Sequence, residues 1–210
     1  MDVAFAAPRP PPYDPAMTRP RLLVAVLALS AGCDVLDPTV GPTFTPGPAP
    51  TPAAQDWLDA HNAVRAGTFP GVTVSPVPSP PLAPLGWSTS AASVAAAWAA
   101  NCVYAHNAGR GNLGENIAAT APTAFRNSTD VVGLWASEWS AYDYATNTCS
   151  APPCGHYTQL VWRDTVNVGC ALFTCSTGWP FGGTPPADPR WDFWVCDYEP
   201  PGNYVGQRPY

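Results

Sequence analysis

A chain of 210 residues has room for one well-cored domain plus an appendage, since domains commonly run to about 100–150 residues. Hydrophobic residues make up 46% and charged residues 11%, and 9 Trp with 7 Cys suit a rigid, cross-linked core. The formal net charge of -6 argues against a nucleic-acid partner, because such binders need basic patches to displace counterions from phosphate.

Residues 1–16 are Pro-rich and patternless and read as disordered, or as a mis-assigned start. From Met17, Arg19 and Arg21 precede the apolar run Leu22 to Leu29 and the small residues Ser30, Ala31 and Gly32 before Cys33. A basic start, an apolar run too short to span a bilayer and a small-residue cleavage zone describe an export signal over 17–33. Small residues directly before a cysteine resemble a bacterial lipoprotein signal, in which Cys33 is acylated; ordinary cleavage before Ala31 is the alternative. Residues 34–52, with prolines at 38, 42, 46, 48, 50 and 52, read as an extended tether.

The folded part, 53–210, opens with Trp57, Leu58, His61, Val64 and Arg65 at helical spacing. Pro70, Pro76, Pro78, Pro80, Pro81 and Pro84 then impose a surface loop. Thr89 or Ser90 caps a second helix through Val94, Trp98 and Cys102. After the Gly/Asn-rich stretch 107–116, Asn127 to Asp130 offer caps for a third helix from Val131 to about Tyr142. That helix places Glu138 among Leu134, Trp135, Trp139 and Tyr142, and a carboxylate so placed needs a partner. The period then changes to two: His156–Trp162, Val166–Cys175 and Trp191–Tyr198 read as strands. Helices followed by a sheet indicate an α+β layered domain.

Cys102, Cys149, Cys154, Cys170, Cys175 and Cys196 form an even set once Cys33 is given to lipid, which in an exported chain implies disulfides rather than a metal cluster. Six cysteines allow 15 connectivities, and spacing does not choose among them.

The stretch Gly155-His156-Tyr157-Thr158-Gln159-Leu160-Val161-Trp162 resembles the first signature of the CAP superfamily (cysteine-rich secretory proteins, antigen 5, pathogenesis-related 1), and residues 195–204 resemble its second. His61 to Arg65 and Gly114 to Ile117 are similar to its two shorter motifs. The C-terminal residues 202–210 are especially close to plant pathogenesis-related 1 proteins, although the Pro-rich loop is longer than the family pattern. The resemblance covers residue 53 to the end and implies a three-layer α-β-α sandwich with a central antiparallel sheet and a surface cleft. It also implies the pairs Cys170 with Cys196, Cys102 with Cys175 and Cys149 with Cys154.

Members of that family place two His and two Glu in the cleft, and the matching positions are His106, Glu115, Glu138 and His156. Two imidazoles and two carboxylates either share protons or ligate Zn2+ or another divalent cation. Tyr157 and Gln159 are candidates to line or support the cleft. Each also has a plainer role: His156 in a buried hydrogen-bond network, His106 as a surface histidine, Glu115 as a local cap, Glu138 paired with an Arg. His61 lies outside the tetrad and reads as structural.

The resemblance implies a secreted or lipid-anchored binding module that takes a lipid, a sterol or an extracellular protein partner. It is expected to be monomeric, and to touch membrane only through an N-terminal lipid anchor. The alternative is a metal-dependent hydrolase or protease with Glu115 or Glu138 as base. No GxSxG or HExxH motif supports that alternative.

Overall fold

The computed structural model describes residues 51–210 apart from Phe125 and Pro152. The disordered start, the export signal with Cys33 and most of the tether therefore lie outside the described residues. No helix within the described residues is long and apolar enough to cross a membrane.

Helix α1 (Pro52–Arg65) starts where the Thr51 side chain accepts a hydrogen bond from the Ala54 N–H at 3.3 Å. It buries Ala54, Trp57, Leu58, His61, Val64 and Arg65, a stripe at i, i+3, i+4 and i+7. Helix α2 (Thr89–Ala99) is capped by Ser88, whose side chain accepts the Ala91 N–H, rather than by Thr89 or Ser90, and it ends before Cys102; it presents Ala91, Ala95 and Ala99 to the core. Helix α3 (Ser128–Ala136) opens with a capping box between Asn127 and Asp130 and tightens into a 3-10 turn over Ser137–Ala141. The expected third helix is thus real but changes pitch just before Glu138. Leu134, grouped with the apolar face in the sequence, is 44% exposed, and Val131, Val132 and Trp135 form the buried stripe instead.

Four strands, β1 (Gly86–Trp87), β2 (Gly114–Thr120), β5 (Asn167–Cys175) and β6 (Trp191–Glu199), form one sheet in the order β1-β5-β6-β2. The sheet is mixed rather than wholly antiparallel, because β1 runs parallel to β5 while β5, β6 and β2 alternate. A separate hairpin joins β3 (Tyr142–Asp143) to β4 (Thr148–Cys149).

The segment His156–Trp162 is not a strand. It is the short helix α4 (Gly155–Leu160), and its buried Tyr157, Leu160 and Val161 lie at i, i+3 and i+4.

Strand alternation divides the core into two layers. Trp194, Cys196 and Tyr198 face α1, α3 and α4, where Trp57 lies 6.3 Å from Trp135 and 5.9 Å from Trp194 between ring centroids. Trp191, Phe193 and Val195 face α2 with Ile117 and Cys175. On that second side the helix rests on the strand at Gly169, where a Cβ would come within 2.1 Å of the Ala92 nitrogen. At the far edge the Trp135 indole N–H donates to the Ile117 carbonyl at 3.1 Å, covering β2.

Arg65 fastens three elements. Its guanidinium donates to Ala83 O, and to Leu160 O and Trp162 O at the C-terminal end of α4, at 2.8–3.0 Å. Burial and the nearby Arg163 lower its pKa to about 10.

The disulfides Cys102–Cys175, Cys149–Cys154 and Cys170–Cys196 are all formed. Cys170 and Cys196 are directly opposed in the β5–β6 register.

Candidate functional site

Four elements converge on a small cavity of about 180 Å³ lined by His106, Glu115, Asn116, Pro153, Gly155, His156 and Asn203. The segment after α2 brings His106, β2 brings Glu115 and Asn116, the entry to α4 brings Pro153, Gly155 and His156, and the segment after β6 brings Asn203. Glu138 stands behind His156, on the 3-10 turn that ends α3.

The tetrad is built as two imidazole–carboxylate pairs. His106 Nδ1 lies 2.7 Å from Glu115 Oε1, which also accepts the Asn107 N–H at 2.9 Å. His156 Nδ1 lies 2.6 Å from Glu138 Oε1. Glu138 Oε2 accepts the His156 and Tyr157 N–H groups at 3.0 and 3.3 Å. Cys154, the N-cap of α4, supplies no side-chain acceptor, so Glu138 does that work from another element. His156 also stacks on Trp135 at 6.1 Å.

In each pair the carboxylate holds Nδ1, and Nε2 has no hydrogen-bond partner among the described residues. A carboxylate on Nδ1 fixes the tautomer and the ring orientation of a metal-binding histidine and leaves Nε2 as the ligand atom, so the carboxylate orients rather than ligates. Glu115 is not a local cap but a residue inside a strand, and Glu138 pairs with His156 rather than with an Arg. No three of the four residues bring ligand atoms within 4.8 Å of one another. The arrangement therefore fits an ion held by His106 and His156 with water or another ligand completing its shell, and does not fit a closed four-ligand site.

Among the described residues, only His61, Cys170 and Cys196 converge within 4.8 Å. Those cysteines are bonded to each other and have no thiolate to offer. His61 hydrogen-bonds Trp57 O at 2.8 Å and Tyr198 Oη at 2.9 Å. Burial lowers its pKa to about 4, so it is a neutral core histidine, as its position outside the tetrad suggested.

Gln159 and Tyr157 do not line the cavity. Gln159 is buried behind it: Oε1 accepts the Gly202 N–H at 2.9 Å and occupies the space where a Gly114 side chain would lie. It therefore supports the strand that carries Glu115 and the turn that carries Asn203. Tyr157 lines a different cavity, of about 570 Å³, with Trp139, Tyr142 and Tyr144.

Sequence reasoning passed over Asn203, Asn116 and Asp197. Asn203 sits in the left-handed region at φ 58°, accepts from Thr158 Oγ1 at 2.7 Å and donates to Gly155 O at 2.8 Å. A Gly-Asn dipeptide inside a quoted signature is the signal that could have found it. Asn116 donates to His156 O at 3.1 Å and to Tyr198 Oη at 3.2 Å. Asp197, fully buried, faces Glu115 across β2 and β6, and burial together with the Glu115 charge raises its pKa to about 7.

Comparison with known proteins agrees with this architecture. The family model described as CAP, Cysteine-rich secretory protein family, matches residues 58–198. The chain is 36% identical over 160 residues to the basic form of pathogenesis-related protein 1 of Nicotiana tabacum, covering 74% of this chain and 75% of that protein. It is 39% identical over 163 residues to a pathogenesis-related protein of PR-1 type from Sambucus nigra, covering 74% and 81%. Among solved structures, NaASP2 with Zn2+ shares the fold with a TM-score of 0.54 at 23% identity, covering 75% of this chain and 84% of that one. The chain belongs to the cysteine-rich secretory protein (CAP) family.

Proposed function

We propose that this protein is a non-enzymatic extracytoplasmic binding module whose His/Glu cleft takes one divalent cation. A CAP-family chain with its disulfides formed belongs outside the reducing cytoplasm. The observation that carries the metal reading is the pair of imidazoles, each held at Nδ1 by a carboxylate and each bordering the same cavity. His106 and His156 would hold the ion; Glu115 and Glu138 would fix tautomer and ring orientation. Zinc is the natural first probe for neutral imidazole ligands, and the NaASP2 structure is one with Zn2+. A bound zinc ion would supply Lewis acidity.

Hydrolysis is less well supported. Glu138 is committed to an imidazole and two backbone N–H groups, and the remaining Glu115 oxygen is buried, so neither carboxylate is free to take a proton from water in the cavity.

A second reading, lipid or sterol binding, draws on a different place. A cavity of about 560 Å³ between the end of α1 and the Pro-rich loop is lined by Val72, Val74, Val77, Pro78, Pro81 and Leu82. The cleft, at about 180 Å³, is too small for such a ligand.

Isothermal titration of the purified protein with zinc, beside the His106→Ala/His156→Ala double variant, separates the two. Saturable binding lost in the variant is the expected result. Heat-silent titrations of both proteins would remove the metal reading and leave the apolar cavity as the binding site to test.

A further inference from the structure

The three disulfides are not equally placed. Cys170–Cys196 lies in the sheet with its cysteines 7% and 0% exposed, and Cys102–Cys175 ends on a fully buried Cys175. Cys149, by contrast, is exposed on the two-residue strand β4, while its partner Cys154 is buried at the start of α4. Thiol–disulfide exchange needs an accessible sulfur for the attacking thiolate, and Cys149 is the one exposed residue among the six bonded cysteines, Cys102 being half-buried and the other four buried.

The position of the bond matters as much as its exposure. The chain leaves Glu138, forms the β3–β4 hairpin with Tyr142 opposite Cys149, and reaches His156 at the start of α4. The Cys149–Cys154 bond pins this excursion shut where Pro153 becomes cavity wall. It spans only 5 positions, against 26 and 73 for the others, so cutting it releases a short segment and leaves both core layers cross-linked.

We propose that Cys149–Cys154 is a redox modification site that a dithiol reductant opens selectively, and that its opening loosens the Glu138–His156 side of the cleft. The dithiol's thiolate attacks Cys149 Sγ, the S–S bond breaks, and its electron pair leaves on Cys154 Sγ, which takes up a proton. The second thiol of the reductant then displaces Cys149 from the mixed disulfide. Two cysteine thiols and one oxidised, cyclic reductant result, a balanced two-electron exchange. The consequence rests on the cleft described above but not on its holding metal.

The test treats the folded, full-length protein with dithiothreitol, traps free thiols with iodoacetamide over time, and maps alkylation by peptide mass. The ring resonances of His156 are followed in parallel by NMR, without metal. Alkylation of Cys149 and Cys154 at least about tenfold faster than of the other four disulfide-bonded cysteines, with a shift of the His156 resonances, is expected. The Cys149→Ser/Cys154→Ser variant should reproduce the reduced spectrum. Prior or equal reduction of another bridge, no reduction at all, or unchanged His156 resonances after selective reduction would each overturn the proposal. A failed zinc titration in both redox states would count against the metal reading alone.

Discussion

Asp197 and Glu115 face each other across β2 and β6, and Glu115 Oε2 and both Asp197 carboxylate oxygens are buried without a hydrogen-bond partner. Burial and then the Glu115 charge raise the Asp197 pKa to about 7, with Arg110 pulling the other way. The folded state therefore holds this proton more tightly than the unfolded chain, whose carboxyl has its ordinary value of 3.8. The stabilisation linked to it is fully present below about 3.8 and is lost as pH rises through about 7. Asp197→Asn, which keeps the shape and removes the charge, should raise stability at pH 8 by at least about 1 kcal/mol and change it little at pH 4. Thermal melts at the two pH values check this, and an equal effect at both would refute it. The residue was within reach of the sequence, because the strand reading of Trp191–Tyr198 already sets Asp197 on one face with Trp191, Phe193 and Val195. The His/Glu tetrad was legible through family motifs. Its division into two pairs was not, because it depends on which chain segments lie side by side in space.

At the scale of elements, the clearest departure is α4. Its residues alternate well enough to read as a strand, but six residues also fit a turn and a half of helix, and periodicity cannot decide over so short a span. Tertiary context decides: Glu138 caps the first turn and Arg65 takes up carbonyls at the last. Strand β2 escaped notice for the opposite reason, since Gly114-Glu115-Asn116 looks like turn chemistry and Ala118-Ala119 carries little strand propensity. Pairing with β6 along its whole length overrides that. Helices α1 and α2, with long stripes and good caps, lie close to where spacing set them. Arg65→Met should cost about 3 kcal/mol, since it strips backbone carbonyls from three places of their donor. Chemical denaturation measures the loss. A change under about 1 kcal/mol would mean that water or Arg163 replaces the guanidinium.

For the molecule as a whole, the covalent links divide the work by reach. Cys102–Cys175 closes a loop of 73 positions and binds the end of α2 to the sheet. On chain-entropy grounds Cys102→Ala/Cys175→Ala should cost about 4 kcal/mol, which calorimetry would record as a melting point lower by roughly 10 °C. A drop of only a degree or two would show that packing of the α2 layer suffices alone.

That layer meets the sheet at the bare backbone of Gly169, and from its far end the chain runs through Cys102 to His106. One side of the cleft is therefore set in position by a methyl group that is missing from the opposite end of the helix. Gly169→Ala would press against Ala92 and tilt the helix like a beam lifted at one support. The His106 ring resonances should respond to a change made in another part of the fold; if they stay fixed while stability falls, the bridge at Cys102 is isolating the cleft from the strain.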